Sequence, residues 1–432
     1  MKDSIFNNRT VVYCFAATII MIMGVASITP ILPTLTRHFG VPSSDANLIM
    51  AFFAVPGLLS TPLAGIIADR YGTKRVLVPS LLLFSIGGVA SAFVPDFNSF
   101  LFCRFIQGMG SGSLGVLALT IISDSVEDGP MRVKALGYNN SFMSVGSATI
   151  PLIAGGLAQI SWHLPLLLSG VALPLAFFIW FNMKPPAYTS SAPYQTMGEY
   201  LKSTAKAITQ RDTWYILIFT LINFMVTFGP LVTFFPELAD VRYQAIPFEI
   251  GLVMSTSSIG TMLVASQISR ILKYITARTA MLIGFTLFGL GLGVMPFAPG
   301  LFWCIIPIFV IGLGLGINNP TMISVYLAYT PYEQRSGVLA VNSFLVRFAQ
   351  ALGPLAFGFI YAGLSIQAVF IIGAAVCLLA CPLVLWGTNK SAPYGRFNQS
   401  ESAEKLIQNE FIDQFELHQH EQQQKQQDKE KG

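Results

Sequence analysis

Twelve long apolar stretches dominate this chain, near residues 10–34, 46–68, 75–94, 98–122, 136–159, 164–183, 213–236, 248–270, 276–298, 301–328, 336–360 and 364–387. Each is long enough to cross roughly 30 Å of hydrocarbon as about 20 helical residues. Inside a bilayer only a helix or a closed barrel pairs every backbone N–H and C=O. These runs far exceed the ~10 residues of a barrel strand. The expected fold is therefore an all-α integral membrane protein with twelve transmembrane helices. Composition agrees, since 53% of the 432 residues are hydrophobic and only 11% are charged. A soluble chain of this length could not hide so much apolar surface from water.

Several alternatives fall away at this stage. A net charge of +4 is too small to suggest a nucleic-acid partner. Five cysteines (Cys14, Cys103, Cys304, Cys377, Cys381) all lie in apolar stretches, where they read as small buried hydrophobes rather than a disulfide framework. The first run is too long for a signal peptide and ends in "TPILPTL" with no small-residue cleavage site, so it reads as a retained helix. No histidine lies deep within a span and no nucleophile-and-base cluster appears, which argues against a membrane-embedded enzyme.

Basic residues give an orientation. With the N-terminus placed inside, the inner segments hold 21 of the 25 lysines and arginines. Outside are only Arg37 and Arg242, and two more, Arg104 and Arg347, fall within spans. The positive-inside rule then puts both termini in the cytoplasm.

The longest break, 184–212, is polar and basic and divides the spans six and six. The parts are thus an N-terminal half (1–183), a cytoplasmic linker (184–212), a C-terminal half (213–387) and a tail (388–432). The halves echo each other about 200 residues apart. "GSATIPLIAGG" aligns with "FAQALGPLAFG", pairing Pro151 with Pro354 and Gly155 with Gly358, and "PILPTL" aligns with "TFFPEL", pairing Pro33 with Pro236. Duplication of this kind implies two pseudo-symmetric six-helix bundles around a central cavity. The glutamine-rich tail reads as disordered, with one short amphipathic turn open to it at Ile407, Phe411 and Phe415. His418 and His420 are too isolated to suggest a metal site, and no metal is expected elsewhere.

Charge gathers in one short stretch, "GIIADRYGTKR", between the second and third spans. It resembles the signature loop of the major facilitator superfamily, G-x-x-x-D-R-x-G-x-[KR]-[KR], with Gly65, Asp69, Arg70, Gly72, Lys74 and Arg75 in register. The resemblance covers roughly residues 10–387. It implies a conformational latch on the inner side, in which Asp69 bridges to the opposite half and Arg70 pairs with Asp124. "RFIQGMGSGS" in the fourth span resembles the R-x-x-Q-G-x-G segment of that family's drug/proton antiporter branch. An arginine within a bilayer costs about 2.5–3.5 kcal/mol on insertion scales, so Arg104, beside Gln107, is expected to face a wet cavity. Gly108 and Gly112 read as helix-packing positions. The branch's fifth-span motif survives only in part, at Gly146, Pro151 and Gly155, with Gly353 and Pro354 in the second-half echo. These five are candidate hinge residues.

The resemblance implies a secondary active transporter that exports small amphipathic compounds by proton antiport, multidrug efflux among the outcomes. Its setting would be the inner (plasma) membrane, as a monomer. Partners are a small-molecule substrate, protons and the bilayer; no cofactor is expected beyond the proton gradient. Proton coupling usually needs an acid in the membrane, and none lies mid-span. Asp45, Glu237, Asp240 and Glu249 sit at outer ends and read first as solvated loop charges, with Asp45 and Glu237 the candidate proton carriers. Arg347 lies about twelve residues into the eleventh span. It reads equally as a structural arginine or as a positive group that, with Arg104, would favour an anionic metabolite. Asn223, Asn318 and Asn319 are polar cavity candidates, and Phe142, Phe228 and Tyr326 candidate aromatic walls.

Overall fold

The computed structural model of the protein describes residues 5–126, 129–183, 211–329 and 335–387. The linker and the tail, with the amphipathic turn and the histidine pair, lie outside the described residues. Among the described residues there are helices and no strand. Twelve helices are long and apolar enough to span a membrane. In the first half these are α1 (Arg9–Phe39), α2 (Ser43–Ala68), α3 (Thr73–Ala90), α4 (Phe97–Ser125), α5 (Lys134–Ala158) and α6 (Leu164–Asn182). In the second they are α7 (Tyr215–Tyr243), α8 (Pro247–Ala265), α9 (Ala277–Phe297), α10 (Leu301–Tyr326), α11 (Val341–Gly363) and α12 (Ile366–Leu385). An even number of crossings returns the first and last helix ends to one face, the termini face. The opposite one is the far face.

Local signals set several ends. Asn8 accepts from the Thr10 N–H at 3.1 Å, Asp96 from the Ser99 N–H at 2.9 Å and Thr276 from the Thr279 N–H at 3.1 Å, each capping donors that no helical carbonyl reaches. α1 and α7 run further than their apolar stretches, because each is broken and then resumes as a polar last helical segment. α1 breaks in a 3-10 turn at Thr29–Ile31 and α7 in a π-helical stretch at Thr227–Phe234. Both resume with a proline in the first turn, Pro33 and Pro236, where its missing N–H costs nothing. Both stop at a left-handed residue, Gly40 (φ 65°) and Gln244 (φ 53°).

The duplication is written into the packing. One core cluster draws only on residues between Ile5 and Met183 and another only on residues between Ile216 and Val384. Within the first half Thr61 donates to the carbonyls of Gly57 (2.7 Å) and Gly112 (2.9 Å), locking α2 to α4. Exactly 200 positions on, Thr261 donates to Ser257 (2.9 Å) and Gly312 (3.0 Å), locking α8 to α10.

The halves meet at the far face. A side chain on Gly155 of α5 would run into the Pro247 carbonyl at the start of α8, and one on Gly251 of α8 into the Pro151 carbonyl of α5. The equivalent of Gly155, Gly358 of α11, is occupied by the Asn47 side chain at the start of α2. Small residues let helices approach this closely. At the termini ends of the same helices, side chains on Gly65 (α2) and Gly137 (α5) would meet nothing within 4 Å. The close helix contact that seals the far face is thus absent at these two positions near the termini face.

Candidate functional site

The termini face has the signature loop. Its helix runs to Tyr71, and Gly72 turns the chain into α3 at φ 91°, a conformation that glycine adopts without a Cβ clash. Lys74 donates to the Met183 carbonyl at 2.7 Å, tying the loop to the end of α6. Arg70 is exposed, lies 5.7 Å from the ring of its own neighbour Tyr71 and is not paired with Asp124. Both residues belong to the first half, at the ends of α2 and α4, so their distance is set by packing inside that half. Arg75 is exposed as well. The bridge expected of Asp69 falls on a side chain outside the described ones.

Arg104 corrects a second expectation. It is fully buried rather than facing a wet cavity. Its Nη1 donates to Gln107 Oε1 at 2.6 Å, its Nε reaches the Ile49 carbonyl at 3.5 Å, and its guanidinium lies 4.3 Å from the Phe53 ring. Phe53 lies on α2, so Arg104 fastens α4 to α2 inside the first half through a cation–π contact and a short polar bond. Gly108 and Gly112 pack against the α2 backbone at Phe53 and Gly57, as their spacing suggested.

The middle of the second half holds an amide cluster. Asn318 donates to Asn223 Oδ1 at 3.2 Å, and Asn223 donates to Asn319 Oδ1 at 2.9 Å, joining α7 to α10. Thr220 lies 2.9 Å from the Tyr326 hydroxyl and 3.3 Å from Asn342 Oδ1, which brings in α11. Tyr326 is buried within this network and is not a cavity wall. Phe142 is half-buried and stacks on Phe15 at 5.0 Å; Phe228, also half-buried, lies parallel to Phe224 at 6.3 Å. Arg347 is likewise half-exposed. Its Nη1 donates to Gln350 at 3.3 Å, and its Nη2 crosses to Met21 Sδ of α1 at 3.5 Å. It is far from Arg104's sealed pocket in character, and the two do not form a joint positive field on the cavity.

The far face is closed by charge as well as by glycine. Arg37 Nη1 contacts both oxygens of Asp240, at 2.9 and 3.0 Å. These residues are 203 positions apart, the same offset that relates Pro33 to Pro236 and Gly155 to Gly358. Two equivalent positions that touch each other must straddle the axis relating the halves. The ion pair therefore sits on that axis. Beneath it Glu237 is 1% exposed, with Ser43 and Tyr361 beside it and Oε2 without a partner. Glu237 is not the solvated loop charge its sequence position suggested, because Pro236 restarts the helix and turns its first carboxylate inward. Asp45 is half-exposed and accepts from Ser44 at 3.4 Å, in keeping with a surface charge. Of the hinge candidates, Gly155 and Gly353 are close-packing notches, the latter against Met225 of α7, while Gly146 has only ordinary contacts. Pro151 and Pro354 lie inside their helices.

Two helix bundles duplicated in sequence, packed closely at one face and carrying polar and charged side chains within their spans, define a transporter. The Major Facilitator Superfamily profile matches residues 14–245 and 242–416, and the chain belongs to that family. Quinolone resistance protein NorA of Staphylococcus aureus (strain Mu50 / ATCC 700699) is 23% identical over 384 residues, 88% of this chain and 96% of that protein. Bacillibactin exporter of Bacillus subtilis (strain 168) is 24% identical over 232 residues, 52% of this chain and 57% of that protein. Among solved structures, nucleoside transporter NupG superposes with a TM-score of 0.73 at 15% identity, covering 88% of this chain and 100% of that one. A bacterial homologue of the human lysosomal transporter Spinster, in an inward-facing and unoccupied conformation, gives 0.71 at 14% identity, covering 90% and 100%. These likenesses extend to the fold.

Proposed function

We propose that the protein exports small amphipathic organic compounds by alternating access, taking them from the cytoplasm through the termini face and releasing them at the far face. Inward flow of protons drives the cycle. The observation that carries the reading is Glu237, a buried carboxyl on the seam between the halves, one oxygen unpartnered, directly below the ion pair that closes the far face. A carboxyl in this place changes its interactions when the seam opens, which is what a proton carrier requires. Full-length similarity to a quinolone resistance protein supports export of drug-like compounds.

In this reading both termini are cytoplasmic, the membrane is the bacterial inner membrane and the working unit is a monomer. The loop at 65–75 closes the termini face in the alternate conformation, with Asp69 then reaching the opposite half. The test is accumulation of a fluorescent amphipathic dye in pump-deficient cells, with and without a protonophore. Lower dye with the wild type, restored by Asp69→Asn, by Glu237→Gln and by the protonophore, is the expected result. Unchanged accumulation despite confirmed membrane expression refutes the reading.

A further inference from the structure

Two arginines lie within the membrane, and they are housed in opposite ways. Arg104 is sealed: it is fully buried, faces an aromatic ring, and its Nη2 is closed off from water. Arg347 is partly exposed, and it has no nitrogen that is both buried and without a partner. Among the described residues it meets no carboxylate. Its partners are a 3.3 Å amide contact to Gln350 and a 3.5 Å approach to the Met21 thioether, a weak acceptor. A guanidinium has five N–H donors in a rigid fork, so most of this one remains unengaged.

Depth matters too. Arg347 lies twelve residues past Arg335, where its helix starts on the termini face, or about 18 Å by helical rise. Asn223 is twelve residues past Arg211. Asn319, half-exposed, is ten residues from the termini end of its helix at Tyr329, about 15 Å in. A partly exposed cation and the partly exposed Asn319 amide thus share one level, with Asn223 and Asn318 buried at the same depth. Among the described residues no carboxylate pairs with it, and α1 has no charged residue between Arg9 and Arg37, α5 none after Lys134, α2 none between Asp45 and Asp69, and the central stretches of α7 and α10 none at all. Glu237 is fourteen residues further along α7 than Asn223, about 21 Å away by rise. An uncompensated cation at mid-membrane belongs to a site that a ligand completes.

We propose that the transported compound carries an acidic group held by Arg347, with its apolar body against α1 at Met21 and against Phe142 of α5. The substrate class is an amphipathic organic acid. The inference rests on the seam between the halves being a transport site but does not depend on proton coupling. Carboxylate and guanidinium match as a bidentate pair, and Met21 offers a soft, adjustable surface for apolar bodies of varied shape.

The test is direct binding to the full-length protein in detergent, using three fluorescent probes of similar size: dansylglycine (acid), dansylglycinamide (neutral) and dansylethylenediamine (cation). The acid is expected to bind about tenfold more tightly than the amide and more tightly than the cation. Arg347→Gln should bring the acid-to-amide ratio to about one while leaving amide affinity unchanged, and Arg347→Lys should restore most of the preference. Equal weakening of all three probes in a variant that keeps its thermal midpoint assigns Arg347 a structural task and overturns the proposal. So does a wild type that binds the amide or the cation as well as the acid, or fails to bind the acid, a result that decides the matter even if Arg347→Gln does not fold. Loss of proton dependence in the dye assay leaves the wild-type acid preference standing, so the two readings fail separately.

Discussion

Replacing Gly155 by alanine should open the far face. Its Cβ would collide with the Pro247 carbonyl and lie 2.8 Å from Phe248 Cα, both backbone atoms that cannot swing aside. Overpacking of this kind costs about 1–3 kcal/mol, and the cost exists only while α5 and α8 are together. The gain in helix propensity from glycine to alanine, about 1 kcal/mol, is present in both conformations and cancels. The gate equilibrium should therefore move roughly 5- to 150-fold toward the state with the far face open. Gly156 is the internal control: alanine there gains the same propensity, but its Cβ would sit 3.8 Å from the Phe248 ring, an ordinary contact. Spin labels at Phe93 and Phe297, exposed at the far-face ends of α3 and α9 in opposite halves, report the separation by double electron–electron resonance once the native cysteines are replaced. Gly155→Ala should populate a longer distance that wild type and Gly156→Ala lack. Identical distributions for the two alanine variants would refute the notch as the element that holds the gate.

Three further outcomes follow from the geometry. Arg37→Ala should open the same gate more weakly, because an ion pair with Arg37 63% exposed contributes about 0.2–1 kcal/mol and is screened by salt; the swap Arg37→Asp with Asp240→Arg should restore closure in the same distance measurement. Asn223→Ala leaves the Asn318 amide and the Asn319 oxygen without their partners, and should lower stability by about 1–3 kcal/mol per stranded group, read as a fall in thermal midpoint without a change in gate distances. The Ser99 hydroxyl and N–H hold the Asp96 carboxyl below its ordinary value near 3.8; its capping contribution is then complete above that value and is lost as pH falls through the lowered one, so the stability advantage of wild type over Asp96→Ala should vanish only in strong acid.

How much of this was legible beforehand varies with the kind of residue. The twelve spans were readable because a bilayer forces about 20 apolar residues per helix, a constraint that acts on each segment alone. The repeat at Pro151/Pro354 and Gly155/Gly358 was readable for the same reason, and its offset also holds Arg37 and Asp240, a pair that the register could have revealed. Glu237 was misread because hydropathy falls off where the helix resumes after Pro236, and a charge beyond an apolar run looks solvated whichever way the helix turns.

What the sequence determined on its own is thus the bundle: the number of helices, the duplication, the loop signature and the family. Tertiary structure alone decided which arginine is sealed and which is open. Arg104 and Arg347 each stand as a single charge in an apolar helix, and no local pattern separates them. Successive residues are about 100° apart around a helix, so the face each presents depends on which neighbour packs there, Phe53 of α2 against one and Met21 of the opposite half near the other. The closed far face is a tertiary fact for the same reason, since a notch exists only where a second helix arrives to fill it.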